Sequence, residues 1–133
     1  MAKKIVSSKK KNLSALVVDD DTVSRMVHVG YCTRYNFETN AVENGREAVD
    51  LVRSGRQFDV IFMDYSMPVM NGIQATRELR AMGVKTMIVG IFCDLNFLRE
   101  DPFQAGMDRV YEKPMTDEIV ISVRQALLNN YNM

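Results

Sequence analysis

Five short apolar runs, separated by segments of helical period, limit what this chain can become. Leu13 to Val18 reads LSALVV, residues 58–63 read FDVIFM and residues 86–92 read TMIVGIF. Each is too short for a buried helix and suits a strand covered on both faces. Residues 37–42 form a weaker strand between Asn36 and the turn pair Asn44-Gly45, and residues 108–111 a short fifth one. Between them, Val23, Met26, Val27, Gly30 and Tyr31 recur at helical spacing and are expected on the inner face of a helix. Residues 46–54, with Ala48, Leu51 and Val52, make a second helix closed by Gly55. Asn71-Gly72 opens a third, with Ile73, Ala75, Leu79 and Met82 inside and Gly83 as its stop. Residues 116–129 make the last, with Ile119, Val123, Ala126 and Leu127 on one face. Residues 94–106 should hold one more helix, but Pro102 inside it would break or shift the backbone ladder.

Five strands alternating with helices predict a parallel sheet with helices on both faces. With right-handed crossovers this is an open, doubly wound five-stranded α/β sheet, which binds ligands beyond the carboxyl ends of its strands.

A length of 133 residues fits one domain, placed at 13–133 after a flexible basic tail at 1–12. Lys plus Arg and Asp plus Glu both number 17, so the net charge gives no general support to nucleic-acid binding, and no nucleic-acid partner is expected. Lys3, Lys4, Lys9, Lys10 and Lys11 read as a solvated tail. Cys32 and Cys93 lack metal-type spacing and are expected as free thiols. No run is long enough to span a membrane and no apolar stretch follows the basic start, so a soluble, cytoplasmic monomer is expected, with the nucleus as a further compartment.

The strand ends carry the chemistry. Asp19, Asp20 and Asp21 follow the first strand, Asp64 the third and Lys113-Pro114 the fifth. Carboxylates gathered at one edge repel and call for a cation, and magnesium suits a few carboxylates with retained water. A lysine neutralises a phosphoryl oxygen, and a carboxylate can be a nucleophile towards phosphorus. Taken one at a time, the aspartates could equally cap a helix, Asp64 could be a loop residue before a proline turn, and Lys113 a surface lysine.

LVVDDD at 16–21, IFMDYSMPVMNG at 61–72 and EKP at 112–114 together resemble the receiver domains of two-component response regulators, over roughly residues 13–130. The opening NLSALVVDD and the MIVG strand look most like the stand-alone plant receivers of the C type, which implies phosphorelay signalling of the cytokinin kind. The resemblance implies strand order 2-1-3-4-5. It makes Asp64 the phosphoryl acceptor, and gives Mg2+ as cofactor, held by Asp19, Asp20, Asp64 and the backbone carbonyl of Ser66. It also implies that Lys113 contacts the phosphoryl group, that a cis bond precedes Pro114, and that the donor is a histidine phosphotransfer protein or hybrid histidine kinase.

Two positions depart from the family. Phe92 stands where its receivers carry a Ser or Thr that contacts the phosphoryl group, with Cys93 next in line. Val110 stands where they carry a switch aromatic. Both moving parts of the output switch are thus altered, which keeps open a pseudo-receiver that binds partners without phosphorylation. A third reading takes Asp19-x-Asp21 as the opening of a haloacid-dehalogenase-type phosphatase, with Asp19 as nucleophile and Asp21 as general acid, but no downstream acidic metal motif supports it.

Overall fold

Alternate residues of a strand face opposite ways, and in the runs LSALVV, VIFM and MIVGIF both sets are largely apolar and buried. The computed structural model describes residues 12–131; the basic stretch up to Lys11 lies outside them. Strands β1 (Leu13–Val18), β2 (Phe37–Val42), β3 (Val60–Met63), β4 (Met87–Phe92) and β5 (Arg109–Glu112) form one parallel sheet in the order β2-β1-β3-β4-β5. The helices are α1 (Thr22–Arg34), α2 (Gly45–Arg53), α3 (Gly72–Ala81), the single turn α4 (Pro102–Ala105) and α5 (Asp117–Tyr131). Leu16, Val18, Ile61, Met63, Ile88 and Phe92 pack on Ala48, Val49, Ala75 and Leu79, the core beneath α2 and α3. Ala15, Val17, Val60, Phe62, Val89 and Ile91 pack on Cys32, Val120, Val123 and Leu127, the core beneath α1 and α5. The architecture is the expected three-layer, doubly wound sheet.

The helix starts follow from their caps. Asp21, Asn44 and Asn71 accept from the backbone N–H of Ser24, Glu47 and Gln74 respectively, and Gln74 returns the bond to Asn71 in a capping box. The caps put the start of α2 at Gly45, one residue earlier than expected.

The inner face expected for α1 holds only at Tyr31, which packs half-buried against the core, and fails at Val23, Met26 and Val27. Val23 and Met26 are 69% and 67% exposed, Val27 is exposed too, and His28 and Cys32 turn inward instead. The apolar spacing marked a real face, but one turned outward near the acidic edge. In α2, Ala48 is buried as expected, Val49 joins it, and Leu51 and Val52 are half-buried against the same core. In α5, Val123 and Leu127 are buried as expected, Val120 joins them, and Ile119 and Ala126 are half-buried.

Residues 94–106 do not form one helix. Asp94 caps a 3-10 turn at Leu95–Phe97, and Pro102 then starts α4 rather than breaking it. At the first helical position proline has no intrahelical N–H bond to lose. Gly106, at φ 118, ends the turn. Arg80 of α3 holds this segment down: its guanidinium donates to the carbonyls of Gly106, Val84 and Thr86 at 2.8–2.9 Å and to the Asp108 carboxylate at 3.0 Å.

Candidate functional site

Strand register builds the site. Val18 lies opposite Met63, and Phe92 opposite Glu112, so the next residues, Asp19, Asp64 and Lys113, leave the sheet at the same edge. β1 and β3 are neighbours whose connections run to opposite sides of the sheet, the switch point where such folds open a crevice. Asp19 and Asp64 are buried and Asp20 is exposed, and one carboxylate oxygen from each lies within 4.8 Å of the other two. Lys113 Nζ donates to Asp19 Oδ2 at 3.0 Å and to Asp64 Oδ2 at 3.4 Å. The peptide bond between Lys113 and Pro114 is cis, as expected. An open cleft of about 620 Å3 lies over Asp64, with Ser66, Cys93, Asp94 and Phe97 at its sides.

The loop after β3 is fixed to its neighbours. The Gly72 N–H donates to the Tyr65 carbonyl at 2.9 Å, and Gly45 N–H to the Met70 carbonyl at 3.1 Å. A Cβ on Gly72 would come within 1.9 Å of the Asp64 carbonyl oxygen, so only glycine lets α3 start this close to Asp64. Met70 N–H closes a three-residue turn onto the Pro68 carbonyl at 2.7 Å, with exposed Val69 at φ 71, a left-handed conformation that a β-branched residue adopts only under constraint.

The charges are unevenly settled. Burial, and then the Asp19 charge, push Asp64 up to about 6, against relief from Lys113 and the Tyr65 N–H. Burial works the same way on Asp19, but bonds from Ser24, the Asp21 amide and Lys113 outweigh it and hold that carboxyl below its usual value. Lys113 is raised: burial would lower it, and the two aspartates prevail. Burial lowers His28, whose Nδ1 lies 3.8 Å from Asp19 Oδ2, so this imidazole is neutral near neutral pH. Three carboxylates against one lysine leave net negative charge in a partly dry crevice. The donor set is all carboxylate oxygen, and Asp20 faces solvent from which water ligands can come. It fits a hard divalent cation, magnesium above zinc or copper.

Of the remaining residues singled out, Ser66 is exposed at the mouth of the cleft. Phe92 is buried, its ring 5.6 Å from that of Tyr65, and Val110 is half-buried against the same core. No hydroxyl stands at the end of β4; exposed Cys93 lines the cleft beside it. Asp21 caps α1, with its amide bonded to Asp19 Oδ1 at 3.0 Å, an occupation at odds with a general acid. The sequence reading missed Ser24, whose hydroxyl donates to Asp19 Oδ2 at 2.6 Å, and buried His28. The spacing of Asp21 to Ser24, a cap and its third helical residue, was the one available signal.

The family model for the response regulator receiver domain matches residues 15–124. The chain is 38% identical to two-component response regulator 24 of Arabidopsis thaliana over 96% of its own length and 92% of that protein. It is also 38% identical to two-component response regulator ARR22 of the same plant, over 85% and 82%. Among solved structures it is similar to the receiver domain of sensor histidine kinase PA1611 from Pseudomonas aeruginosa PAO1. That structure has a magnesium ion coordinated in its active-site cleft, and matches with a TM-score of 0.75 at 26% identity over 92% of this chain and 99% of that one. Fold, edge geometry and sequence agree, and the chain belongs to the response regulator receiver family, with plant two-component response regulators among its relatives.

Proposed function

We propose that this receiver accepts a phosphoryl group on Asp64 from a phosphohistidine donor, with Mg2+ held by Asp19, Asp20, Asp64 and the Ser66 carbonyl. The observation that carries the reading is the Lys113 ammonium set between Asp19 and Asp64 at 3.0 and 3.4 Å, in an acidic crevice open to solvent. An Asp64 oxygen attacks phosphorus. The new P–O bond forms as the P–N bond of the phosphohistidine breaks, and the electron pair leaves with the imidazole nitrogen. Lys113 is within reach to neutralise a phosphoryl oxygen, and Tyr65 N–H holds Asp64 Oδ1 at 2.8 Å. A bound magnesium ion would offset the negative charge of the carboxylates and the incoming phosphate. Water hydrolyses the acyl phosphate and resets the site. A histidine phosphotransfer protein or hybrid histidine kinase is the partner, met in the cytoplasm or nucleus.

The output side differs. Phe92 fills core space at the end of β4, so no hydroxyl there can be drawn towards the phosphate. Differential contact with two states is what moves a conformational equilibrium, and one such contact is absent. The same observation favours, as a second reading, an interaction module that no longer uses phosphate.

Binding of beryllofluoride, an acyl-phosphate mimic, tests the proposal. Amide spectra should shift around residues 19–21, 64–66 and 113 in magnesium, and stay unchanged in chelator or in Asp64→Asn. No response of the folded wild type at saturating magnesium would leave the interaction module as the better reading.

A further inference from the structure

Asp19 is buried, and its carboxylate is shared among three donors. Oδ1 accepts the Asp21 amide at 3.0 Å; Oδ2 accepts the Ser24 hydroxyl at 2.6 Å and Lys113 Nζ at 3.0 Å. The backbone of the same residue is tied as well, its carbonyl accepting from Arg25 Nη1 at 2.9 Å. The first turn of α1 therefore grips Asp19 through two consecutive side chains. Two donors on Oδ2 use both its lone pairs, which leaves Oδ1 as the oxygen with capacity for a cation.

Lys113 already serves both aspartates, and its ammonium is the group within reach of an incoming phosphoryl oxygen. A turn of the ammonium towards that oxygen would weaken or break its bond to Asp19 Oδ2. A buried carboxylate oxygen left with no donor carries the full desolvation cost. Only Ser24 stays, because it is anchored on α1 and has no part in the reaction.

We infer that the Ser24 hydroxyl is a positioning residue that holds Asp19 in its metal-binding orientation and frees Lys113 to move from Asp19 to the phosphoryl group. The inference rests on the phosphoacceptor reading above. It assigns a role to a helix residue outside the aspartates, the lysine and the switch positions.

Ser24→Ala is a narrow test, since it removes the hydroxyl and keeps the backbone N–H that Asp21 caps. Ser24→Thr restores a hydroxyl. Magnesium affinity is read by amide shifts in a titration of each full-length variant with MgCl2 alone, and thermal midpoints are measured in chelator. Loss of an outer-shell donor to a metal ligand commonly lowers affinity by about tenfold or more. Ser24→Ala should therefore bind magnesium about tenfold more weakly than wild type, with beryllofluoride binding weakened further. Its chelator midpoint should stay close to that of wild type, and Ser24→Thr should recover most of the affinity. Equal magnesium affinity in wild type and Ser24→Ala would overturn the inference and leave the phosphoacceptor reading standing. So would a loss that Ser24→Thr fails to recover, or one matched by an equal fall in the chelator midpoint. No magnesium binding by wild type would overturn both.

Discussion

Phe92 folds its ring back over Gly90, two residues earlier on the same face of β4, so that a Cβ built on Gly90 would lie 2.7 Å from the ring's Cζ and 2.9 Å from Met107 Sδ. The missing side chain at 90 is what lets an aromatic residue occupy the end of the strand. Gly90→Ala should therefore destabilise the domain by about 1–3 kcal/mol, the usual cost of overpacking a core. Combined with Phe92→Leu, much of that cost should disappear, giving a coupling energy above about 0.5 kcal/mol in a denaturant double-mutant cycle. Additive losses would mean that the ring is not what Gly90 accommodates.

The same packing bears on output. With Phe92 seated among Tyr65, Met107 and Val110, beryllofluoride should change hydrogen exchange around Asp19, Asp64 and Lys113, with little effect on residues 95–110. A large ordered movement of that segment in the wild type, seen by exchange or by comparing magnesium-bound structures with and without the mimic, would contradict this.

Asp64 sets a pH dependence in the metal-free protein. Its folded value of about 6 lies above the ordinary 3.8, so between those values the folded state keeps a proton that the unfolded chain releases. The contribution of Asp64 to stability is then greatest below the lower value and is lost as pH rises through 6, whereas Asp19, held below its usual value, works in the opposite direction at lower pH. The fall should be about 1–3 kcal/mol, because each pH unit between the folded and unfolded values is worth about 1.4 kcal/mol. Urea unfolding in chelator at several pH values should show this limb in wild type and lose it in Asp64→Asn. Saturating magnesium should oppose it by favouring the ionised carboxylate.

Much of the fold, and the aspartates and lysine at the strand ends, were legible in the sequence; Ser24 and His28 beside them were not. β1, β3 and β4 are apolar on both faces, a pattern few other elements produce, and the residues that end β1, β3 and β5 are the ones register brings together. What failed depended on tertiary context. The apolar stripe Val23, Met26 and Val27 has helical spacing whether it faces core or solvent, and nothing local says that α1 would bury His28 and Cys32 instead. Ser24 could not be tied to Asp19 without knowing how α1 docks on β1. Pro102 signalled a disruption, but whether it breaks one helix or starts another depended on the 3-10 turn before it.

The outward face of α1 reverses what its apolar spacing alone would predict for substitutions there. Met26→Lys should leave stability within about 0.5 kcal/mol, as exposed substitutions do. It should slow phosphotransfer from a histidine phosphotransfer protein if that donor docks on this exposed face beside Asp19 and Asp20. Cys32→Lys, which puts an unpaired charge in the α1–α5 core, should cost more than about 3 kcal/mol. Comparable losses from both variants in urea melts would mean that α1 turns its apolar stripe inward after all.

Transfer of labelled phosphate from a phosphorylated histidine phosphotransfer protein, with magnesium or with chelator, bears on Asp64 itself. Wild type should take up label only in magnesium, on Asp64, and Asp64→Asn should take up none. Label on Asp19, or no label on folded wild type across several donors, would contradict the assignment of this crevice as a phosphoacceptor site.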